Sequence, residues 1–251
     1  MIHLYIWTVN LSRVDEVSML ICVVVDIDDT LINTEPRMQT VWQELLDRKI
    51  PMQAVKTLSM EQIFMKFASP DEKTRAGEFQ KRFWDIVLCS EEVGTELLKL
   101  DKPIPFAASI LQKWSEQCKL VYLTGRTENT RDLTMNELEK FGFPTETIQL
   151  VMFKLEDYAR TRGENPSGPT LVDAKAKLFS QIAKQHNVIR VVDDYPSYFH
   201  IYKQFNVPDR IGLRHSKRYT PRQYIDKGAT RVIENWQQLQ NDPPKQVQHS
   251  Q

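Results

Sequence analysis

Acidic residues follow directly on a short apolar run near the start of the chain, and this arrangement constrains the fold more than any other feature. The run Ile21 to Val25 is followed by the stretch Asp26 to Thr30, which reads Asp-Ile-Asp-Asp-Thr. Side chains two residues apart lie on the same face of an extended chain, so Asp26 and Asp28 project together where the strand ends. The pattern predicts a buried strand that carries two carboxylates to the edge of a sheet.

Two carboxylates at one site repel each other, and a cation or a raised pKa on one of them relieves the repulsion. A hard divalent ion such as Mg²⁺ prefers oxygen ligands, so a metal site is the favoured interpretation. An Asp-rich turn that merely closes a strand is the alternative. A calcium loop of the EF-hand type is excluded, because a loop that begins at Asp26 would need Gly and Glu where the chain has Leu31 and Arg37.

The order Asp-x-Asp-x-Thr after an apolar strand resembles the first motif of the haloacid dehalogenase (HAD) superfamily of phosphotransferases. The resemblance implies that Asp26 is a nucleophile and that Asp28 is a general acid and base. An acid at position 28 favours a phosphatase over the dehalogenase and phosphonate hydrolase branches. Thr30 is interpreted as a hydrogen-bond brace for the turn. Three further motifs are expected downstream if the resemblance is real.

A strand that ends in Ser or Thr is the second expected motif, and the stretch Lys119 to Arg126 supplies one with Thr124 near its end. A hydroxyl and neighbouring amides can hold phosphate oxygens, and Gly125 lets the backbone approach an anion closely. Thr124, Gly125 and Arg126 are therefore candidate substrate contacts. A turn that ends a strand explains Thr-Gly-Arg equally well.

A lysine at the start of a helix is the third expected motif, and both Lys175 and Lys177 qualify. At about 100° per residue they point to nearly opposite sides of a helix, so they cannot serve together. Lys175 shares the core-facing side with Phe179 and Ile182, so we expect Lys175 to hold phosphate and Lys177 to face solvent. An ordinary surface lysine is the alternative for either residue.

An acidic pair after another apolar strand is the fourth expected motif, and Asp193 and Asp194 follow the run Val188 to Val192. The superfamily pattern implies that Asp194 is the metal ligand and that Asp193 orients bound water or Lys175. Asp193 is also a candidate ligand. Four such motifs in the expected order are improbable by chance, and parallel sheets bind ligands at the carboxyl edge where these motifs meet.

Further similarity links the chain to the phosphatase half of phage polynucleotide kinase and to related capped acid phosphatases. The similarity covers residues 20–35 and 105–210, and rests on Thr-Gly-Arg, on Thr130-Arg131, on Phe141 to Pro144 and on the later motifs. It implies that Arg126 and Arg131 contact phosphate. Both arginines would serve equally well at a solvated helix start.

Strands alternate with helical stretches, which predicts an α/β fold with a Rossmann-like, doubly wound parallel sheet. The interval 35–100 is far longer than a typical connection, and its apolar residues recur at three- and four-residue steps, so we expect an inserted helical cap there. The predicted organisation is an N-terminal extension at 1–18, a HAD core at 19–34 and 101–239, a helical cap at 35–100, and a disordered tail at 240–251.

Composition sets the remaining expectations. The 251-residue chain has 33 Lys plus Arg and 33 Asp plus Glu, so no global field recruits nucleic acid or membrane. Three cysteines without metal spacing favour a reduced, cytoplasmic protein, and no apolar run reaches membrane-spanning length. Arginines interleaved with tyrosines at 210–224 can bind a nucleic-acid end, but a solvated loop is the commoner fate of such a run.

The favoured function is a Mg²⁺-dependent phosphatase that acts on a small phosphomonoester through an aspartyl-phosphate. The resemblance implies a metal held by Asp26, Asp194 and the Asp28 carbonyl, while Thr124 and Lys175 hold the phosphate oxygens. Two alternatives stay open. One is a phosphotransferase or mutase of the same superfamily, and the other is a module that binds phosphate without catalysis.

Overall fold

A computed structural model describes residues 21–88 and 92–244, without the side chains of residues 92–94. The predicted N-terminal extension at 1–18 therefore lies outside the described residues, as does the part of the predicted tail beyond residue 244. The beginning of that predicted tail is described, and Asp242 is bonded there to Arg190 and Arg231. No helix in the described part of the chain is long and apolar enough to cross a bilayer.

Within these residues, six strands form one parallel sheet with the order β5-β4-β1-β6-β7-β8. A second, two-stranded antiparallel sheet consists of β2 and β3. The strands are β1 (Ile21–Val25), β2 (Ile32–Asn33), β3 (Lys102–Pro103), β4 (Lys119–Thr127), β5 (Gln149–Phe153), β6 (Asn187–Asp193), β7 (Asp209–Leu213) and β8 (Arg231–Ile233). The predicted order of apolar runs thus becomes a parallel sheet with β1 near its centre.

Helices cover both faces of the large sheet. The helices are α1 (Glu35–Leu46), α2 (Met52–Thr57), α3 (Met60–Phe67), α4 (Pro70–Thr74), α5 (Ala76–Val87), α6 (Glu92–Leu97), α7 (Ala107–Ser115), α8 (Arg131–Lys140), α9 (Leu171–Gln185), α10 (Phe199–Gln204) and α11 (Pro221–Lys227). α7, α8 and a 3₁₀ turn at Trp236–Leu239 pack on one face, and α9, α10 and α11 pack on the other. The predicted α/β, doubly wound class is confirmed.

Strand β1 shows why its apolar run is continuous. Val23 and Val25 join the cluster under α7, whereas Cys22 and Val24 join the cluster under α9. Side chains alternate between the two faces of a strand, and helices cover both faces of this sheet. Every position of the strand must therefore be apolar until the chain leaves the sheet at Asp26.

The interval from α1 to α6 consists of helices and short connections in its described part, and it has an apolar cluster of its own, which includes Trp42, Ile63 and Phe83. Ser59 and Ser69 begin α3 and α4 with reciprocal capping boxes, which explains why this polar stretch breaks into short helices. The chain enters the interval after β2 and leaves it before β3. These strands pair with each other, so the two crossings lie side by side.

Candidate active site

Residues predicted from three of the motifs lie on three neighbouring strands of the large sheet. Asp26 follows β1, Thr124 lies in β4 and Asp193 ends β6, and β1 is paired with both β4 and β6. The Asp26 amide donates to the carbonyl of Val192 at 3.0 Å, which extends the β1–β6 ladder by one residue. All three side chains are buried. The strand order therefore brings together groups that are widely separated in sequence.

Lys175 is the centre of this arrangement. Its Nζ donates to Asp26 Oδ1 at 2.7 Å and to Asp193 Oδ2 at 2.8 Å, and the side chain is 1 % exposed. Thr170 caps α9 in a capping box, which places Lys175 in the second turn on the side that faces the sheet. Lys177 is exposed. The structure thus places Lys175 among the carboxylates.

Two aromatic residues complete the surroundings of Lys175. The ammonium lies 4.2 Å from the ring centre of Tyr198, and the Tyr202 hydroxyl donates to Asp193 Oδ2 at 2.6 Å. The amide of Tyr195 donates to the other oxygen of Asp193 at 2.9 Å. Asp193 is therefore held from three sides, and its orientation is set by the protein.

Asp26, Asp193 and Asp194 form one carboxylate cluster, in which each offers an oxygen within 4.8 Å of the others. Among the described residues, no side-chain or backbone donor bonds the Asp194 carboxylate. Burial raises the pKa of Asp26 to about 7, opposed by Lys175 and reinforced by Asp193. Burial also raises the pKa of Asp194 well above its usual range, with further contributions from Asp29 and Asp26. The cluster holds more negative charge than its neighbours balance.

An all-oxygen donor set with unbalanced negative charge fits a hard divalent cation such as Mg²⁺. The predicted ligands Asp26, Asp193 and Asp194 lie in this cluster. The Asp28 carboxylate does not, since it is bonded to two arginines instead. Only the backbone carbonyl of Asp28 is left for the metal contact that the sequence predicts.

Asp28 is held by Arg126 and Arg37. Arg126 Nη2 lies 2.8 Å from Asp28 Oδ1, and Arg37 Nη2 lies 3.2 Å from the same oxygen. Burial by itself would raise the pKa of Asp28, but the two guanidinium groups together hold it below its ordinary value. In this structure Asp28 therefore favours the ionised form, in which it can accept a proton.

Arg126 was predicted to contact phosphate, and the structure surrounds it with carboxylates. Besides Asp28, it bonds Glu137 through Nη1 and Asp101 through Nη2 at 3.3 Å. The second predicted phosphate arginine, Arg131, pairs with Glu128 and donates to the carbonyl of Leu150. A phosphate contact by either arginine would compete with these bonds.

Sequence reasoning missed Asp101 and Glu137. Asp101 lies directly before β3 and is 5 % exposed, and its two oxygens accept from Arg37 at 3.0 Å and from Arg126 at 3.3 Å. Burial raises the pKa of Asp101 to about 7 against the influence of both arginines. Neither acid belongs to a motif, and isolated Asp and Glu are common on surfaces, so no sequence signal separates them from solvated residues.

The segment around Thr124 differs from the predicted strand end. β4 continues to Thr127, and its pairing with β5 is interrupted between Thr124 and Thr127, so Gly125 and Arg126 bulge out of the ladder. The Tyr158 hydroxyl donates to the carbonyl of Gly125 at 2.7 Å. A Cβ at position 125 would lie 2.9 Å from the same hydroxyl. Close packing of Tyr158 is therefore a second reason for glycine, besides the predicted approach of an anion.

The turn after Asp28 is braced by Asp29 and not by Thr30. Asp29 has a φ of 57°, a left-handed conformation that Asp tolerates better than most residues. Its carboxylate accepts from the Thr34 amide and hydroxyl and from Arg218 at 2.7 Å. The Thr30 hydroxyl is buried without a partner among the described residues, so the predicted role of Thr30 as a brace is wrong.

The basic run predicted as a solvated loop is bonded within the chain. Arg218 reaches Asp29, Arg214 and Lys217 pair with Glu234, and Arg222 pairs with Asp226 at 3.5 Å. Arg210 donates to the carbonyls of Gly228 and Val207. The run therefore contributes Arg218 to the edge of the site and otherwise stabilises the β7–α11 region.

Comparison with known proteins addresses the fold. No family model matches the sequence, and no curated protein gives a significant match. Solved structures do match. A haloacid dehalogenase-like family protein from Streptococcus pneumoniae is 12 % identical with a TM-score of 0.56, over 87 % of this chain and 95 % of that one.

Two further structures agree. A predicted phosphatase from Clostridium acetobutylicum is 14 % identical with a TM-score of 0.58, over 89 % of this chain and 98 % of that one. A HAD-superfamily hydrolase of subfamily IA from Geobacter sulfurreducens is 12 % identical with a TM-score of 0.54, over 88 % and 95 %. The chain has the HAD fold. The likeness spans core and helical interval alike, and the closer resemblance to polynucleotide kinase phosphatases stays a prediction.

Proposed function

We propose that the chain is a Mg²⁺-dependent phosphatase that hydrolyses a small phosphomonoester through an aspartyl-phosphate. One observation carries the proposal. Lys175 Nζ bonds both Asp26 and Asp193, and Asp194 lies in the same carboxylate cluster. A buried lysine between two acids, next to a third acid whose carboxylate accepts no hydrogen bond from the described residues, is a costly arrangement that a structural role does not require. The HAD fold, and its occurrence in a predicted phosphatase, support the same conclusion.

Asp26 is the proposed nucleophile. A carboxylate oxygen of Asp26 attacks phosphorus, the new P–O bond forms, and the bond to the leaving oxygen breaks. Asp28 gives its proton to that oxygen, so the product leaves as an alcohol. Asp28 then takes a proton from water, and the water oxygen attacks phosphorus to release inorganic phosphate and restore Asp26.

The remaining groups hold charge. Thr124 and Lys175 would bind the phosphate oxygens that do not react, and Lys175 already lies 2.7 Å from the nucleophile. Asp26, Asp194 and the Asp28 carbonyl would hold Mg²⁺, with Asp193 beside them. When bound, Mg²⁺ supplies positive charge that offsets the negative charge shared by the phosphate and the carboxylates.

The arginines around Asp28 fit both of its proposed roles. Arg126 and Arg37 lower the pKa of Asp28 in the substrate-free structure, which favours the ionised form that activates water. A phosphate dianion next to Asp28 adds negative charge and raises that pKa again. We therefore expect substrate binding itself to favour the protonated form that the first step needs.

Turnover of 4-nitrophenyl phosphate with MgCl₂ and with EDTA tests the proposal. We expect Mg²⁺-dependent hydrolysis, and a loss on the order of 10⁴-fold in Asp26→Asn, since a nucleophile is removed. Asp226→Asn is the matched control, because Asp226 is exposed and pairs with the exposed Arg222. Hydrolysis that survives in Asp26→Asn would refute Asp26 as the nucleophile.

Product analysis separates the alternatives. Transfer of phosphate to an added alcohol, followed by ³¹P NMR, would indicate a phosphotransferase or mutase. Phosphate binding without turnover on any substrate would indicate a binding module. A panel of phosphorylated metabolites, nucleotides and phosphate-ended oligonucleotides would then identify the substrate class.

A further inference from the structure

Arg37 links the helical interval to the candidate catalytic acid. It lies in the first turn of α1, directly after the first crossing, and its side chain is only 4 % exposed. Its Nε donates to Asp101 at 3.0 Å, its Nη2 to Asp28 at 3.2 Å, and its Nη1 to the carbonyl of Val87 at 3.5 Å. One guanidinium thus joins the motif loop, the second crossing and the end of α5.

The bond to Asp28 is additional to a buried partner that Arg37 already has. Asp101 is a buried carboxylate close to Arg37, so these two form a buried ion pair of the kind that removes the cost of a lone charge. The Asp28 side chain, in contrast, is 30 % exposed. The additional bond therefore fixes the position of a group that water could otherwise solvate.

Asp28 is consequently bonded from two sides. Arg126 holds it from the core, and Arg37 holds it from the helical interval. Asp101 accepts from both arginines, one on each oxygen, and so sets the spacing between them. A planar guanidinium bonded at several nitrogens has a fixed orientation, which a lysine could not provide.

We propose that Arg37 is a positioning residue through which the helical interval holds the Asp28 carboxylate in place to protonate the leaving group, and that Asp101 anchors Arg37. This inference rests on the proposed phosphatase function. Arg37 follows the first crossing and Asp101 precedes the second, so their bond joins the two connections between the helical interval and the core. Displacement of α1 would break the ion pair between Arg37 and Asp28.

The test compares two substrates by kcat/KM, which reports the steps up to departure of the leaving group. The leaving group of glycerol 2-phosphate is an alkoxide, which needs a proton in order to depart. The leaving group of 4-nitrophenyl phosphate is a stable phenolate, which can depart without one. In Arg37→Met we expect kcat/KM to fall about 10- to 100-fold for glycerol 2-phosphate and less than about 5-fold for 4-nitrophenyl phosphate. A loss of folded protein would lower both equally.

Conservative variants and a matched control complete the design. Arg37→Lys should recover part of the loss, because an ammonium can reach one of the two carboxylates, and Asp101→Asn should shift the substrate ratio in the same direction as Arg37→Met. Arg48→Met is the control, since Arg48 pairs with Glu72 away from the site and should leave the ratio unchanged.

The outcomes are distinguishable. An active wild-type enzyme whose substrate ratio is unchanged in Arg37→Met, Arg37→Lys and Asp101→Asn would overturn this inference alone. Absence of turnover in the wild-type enzyme would overturn the proposed function and this inference with it. If Arg37→Met does not fold, Arg37→Lys and Asp101→Asn carry the same comparison.

Discussion

Mg²⁺ should stabilise the fold in a pH-dependent way, because the carboxylate cluster opposes its own ionisation. Burial raises the pKa of Asp26 from 3.8 to about 7, a difference that corresponds to about 4 kcal/mol. The folded state therefore binds a proton that the unfolded state has released, so the metal-free protein loses stability as the pH rises from about 4 through 7. At pH values at which Asp26 is ionised, a bound divalent cation offsets this loss of stability.

The size of the effect follows from linkage. At a Mg²⁺ concentration 100 times the Kd, binding adds about 2.7 kcal/mol, or about 5 to 10 °C in Tm for a chain of this length. At pH 6 a proton occupies most Asp26 side chains, so affinity should be about tenfold weaker than at pH 8 and the gain in Tm about 3 °C or more smaller. The raised pKa of Asp194 acts in the same direction.

Thermal unfolding followed by circular dichroism at pH 6 and pH 8, across a MgCl₂ series, measures this gain. Asp194→Asn should raise the Tm of the metal-free protein at pH 8, since a repelling charge is gone, and should lose most of the response to Mg²⁺. Asp226→Asn should behave as the wild-type protein. An equal Mg²⁺ response in Asp194→Asn, or the same gain from NaCl at matched ionic strength, would refute the metal site.

Two substitutions test other contacts of the site. Lys175→Met should lower the free energy of unfolding, measured in urea, by about 3 to 5 kcal/mol, because it leaves two buried carboxylates without their cation. Lys177→Met, on the exposed side of α9, should change it by less than about 0.5 kcal/mol. Similar values for the two variants would contradict the assigned role of Lys175. Gly125→Ala should cost about 1 to 3 kcal/mol, since the new Cβ would meet the Tyr158 hydroxyl. That cost should shrink in a Tyr158→Phe background, and a double-mutant cycle without coupling would count against the contact.

The groups predictable from the sequence are those fixed by strand order. Asp26, Thr124 and Asp193 each follow or lie in an apolar run, and parallel strands bring such positions to one edge. Helical periodicity distinguished the buried Lys175 from the exposed Lys177. These predictions needed only the period of the side chains and the direction of the strands.

The ionic contacts around Asp28 could not be predicted in this way. Arg37 and Asp101 are 64 residues apart, and Arg126 lies 98 residues from Asp28. The contacts of Arg37 depend on how the helical interval sits on the core, and that of Arg126 depends on the bulge in β4; neither periodicity nor motif spacing encodes these placements. The bulge at Gly125 was missed for a related reason, since Lys119 to Thr127 is an extended run whose pairing with β5 only the sheet reveals.

Charge in the carboxylate cluster further predicts an order of binding. Lys175 bonds two of the three carboxylates in the cluster, so the fully ionised cluster carries excess negative charge that repels a phosphate dianion. Bound Mg²⁺ would cancel that excess, so inorganic phosphate should bind at least about tenfold more tightly with Mg²⁺ than with EDTA, a coupling of about 1.4 kcal/mol. Calorimetric titrations at pH 8 measure both affinities.

Because coupling is reciprocal, bound phosphate must raise the affinity for Mg²⁺ by the same factor. Phosphate affinity that is indifferent to metal would mean that other cations, such as Arg126 or Arg218, hold the anion, and would separate phosphate binding from the cluster altogether.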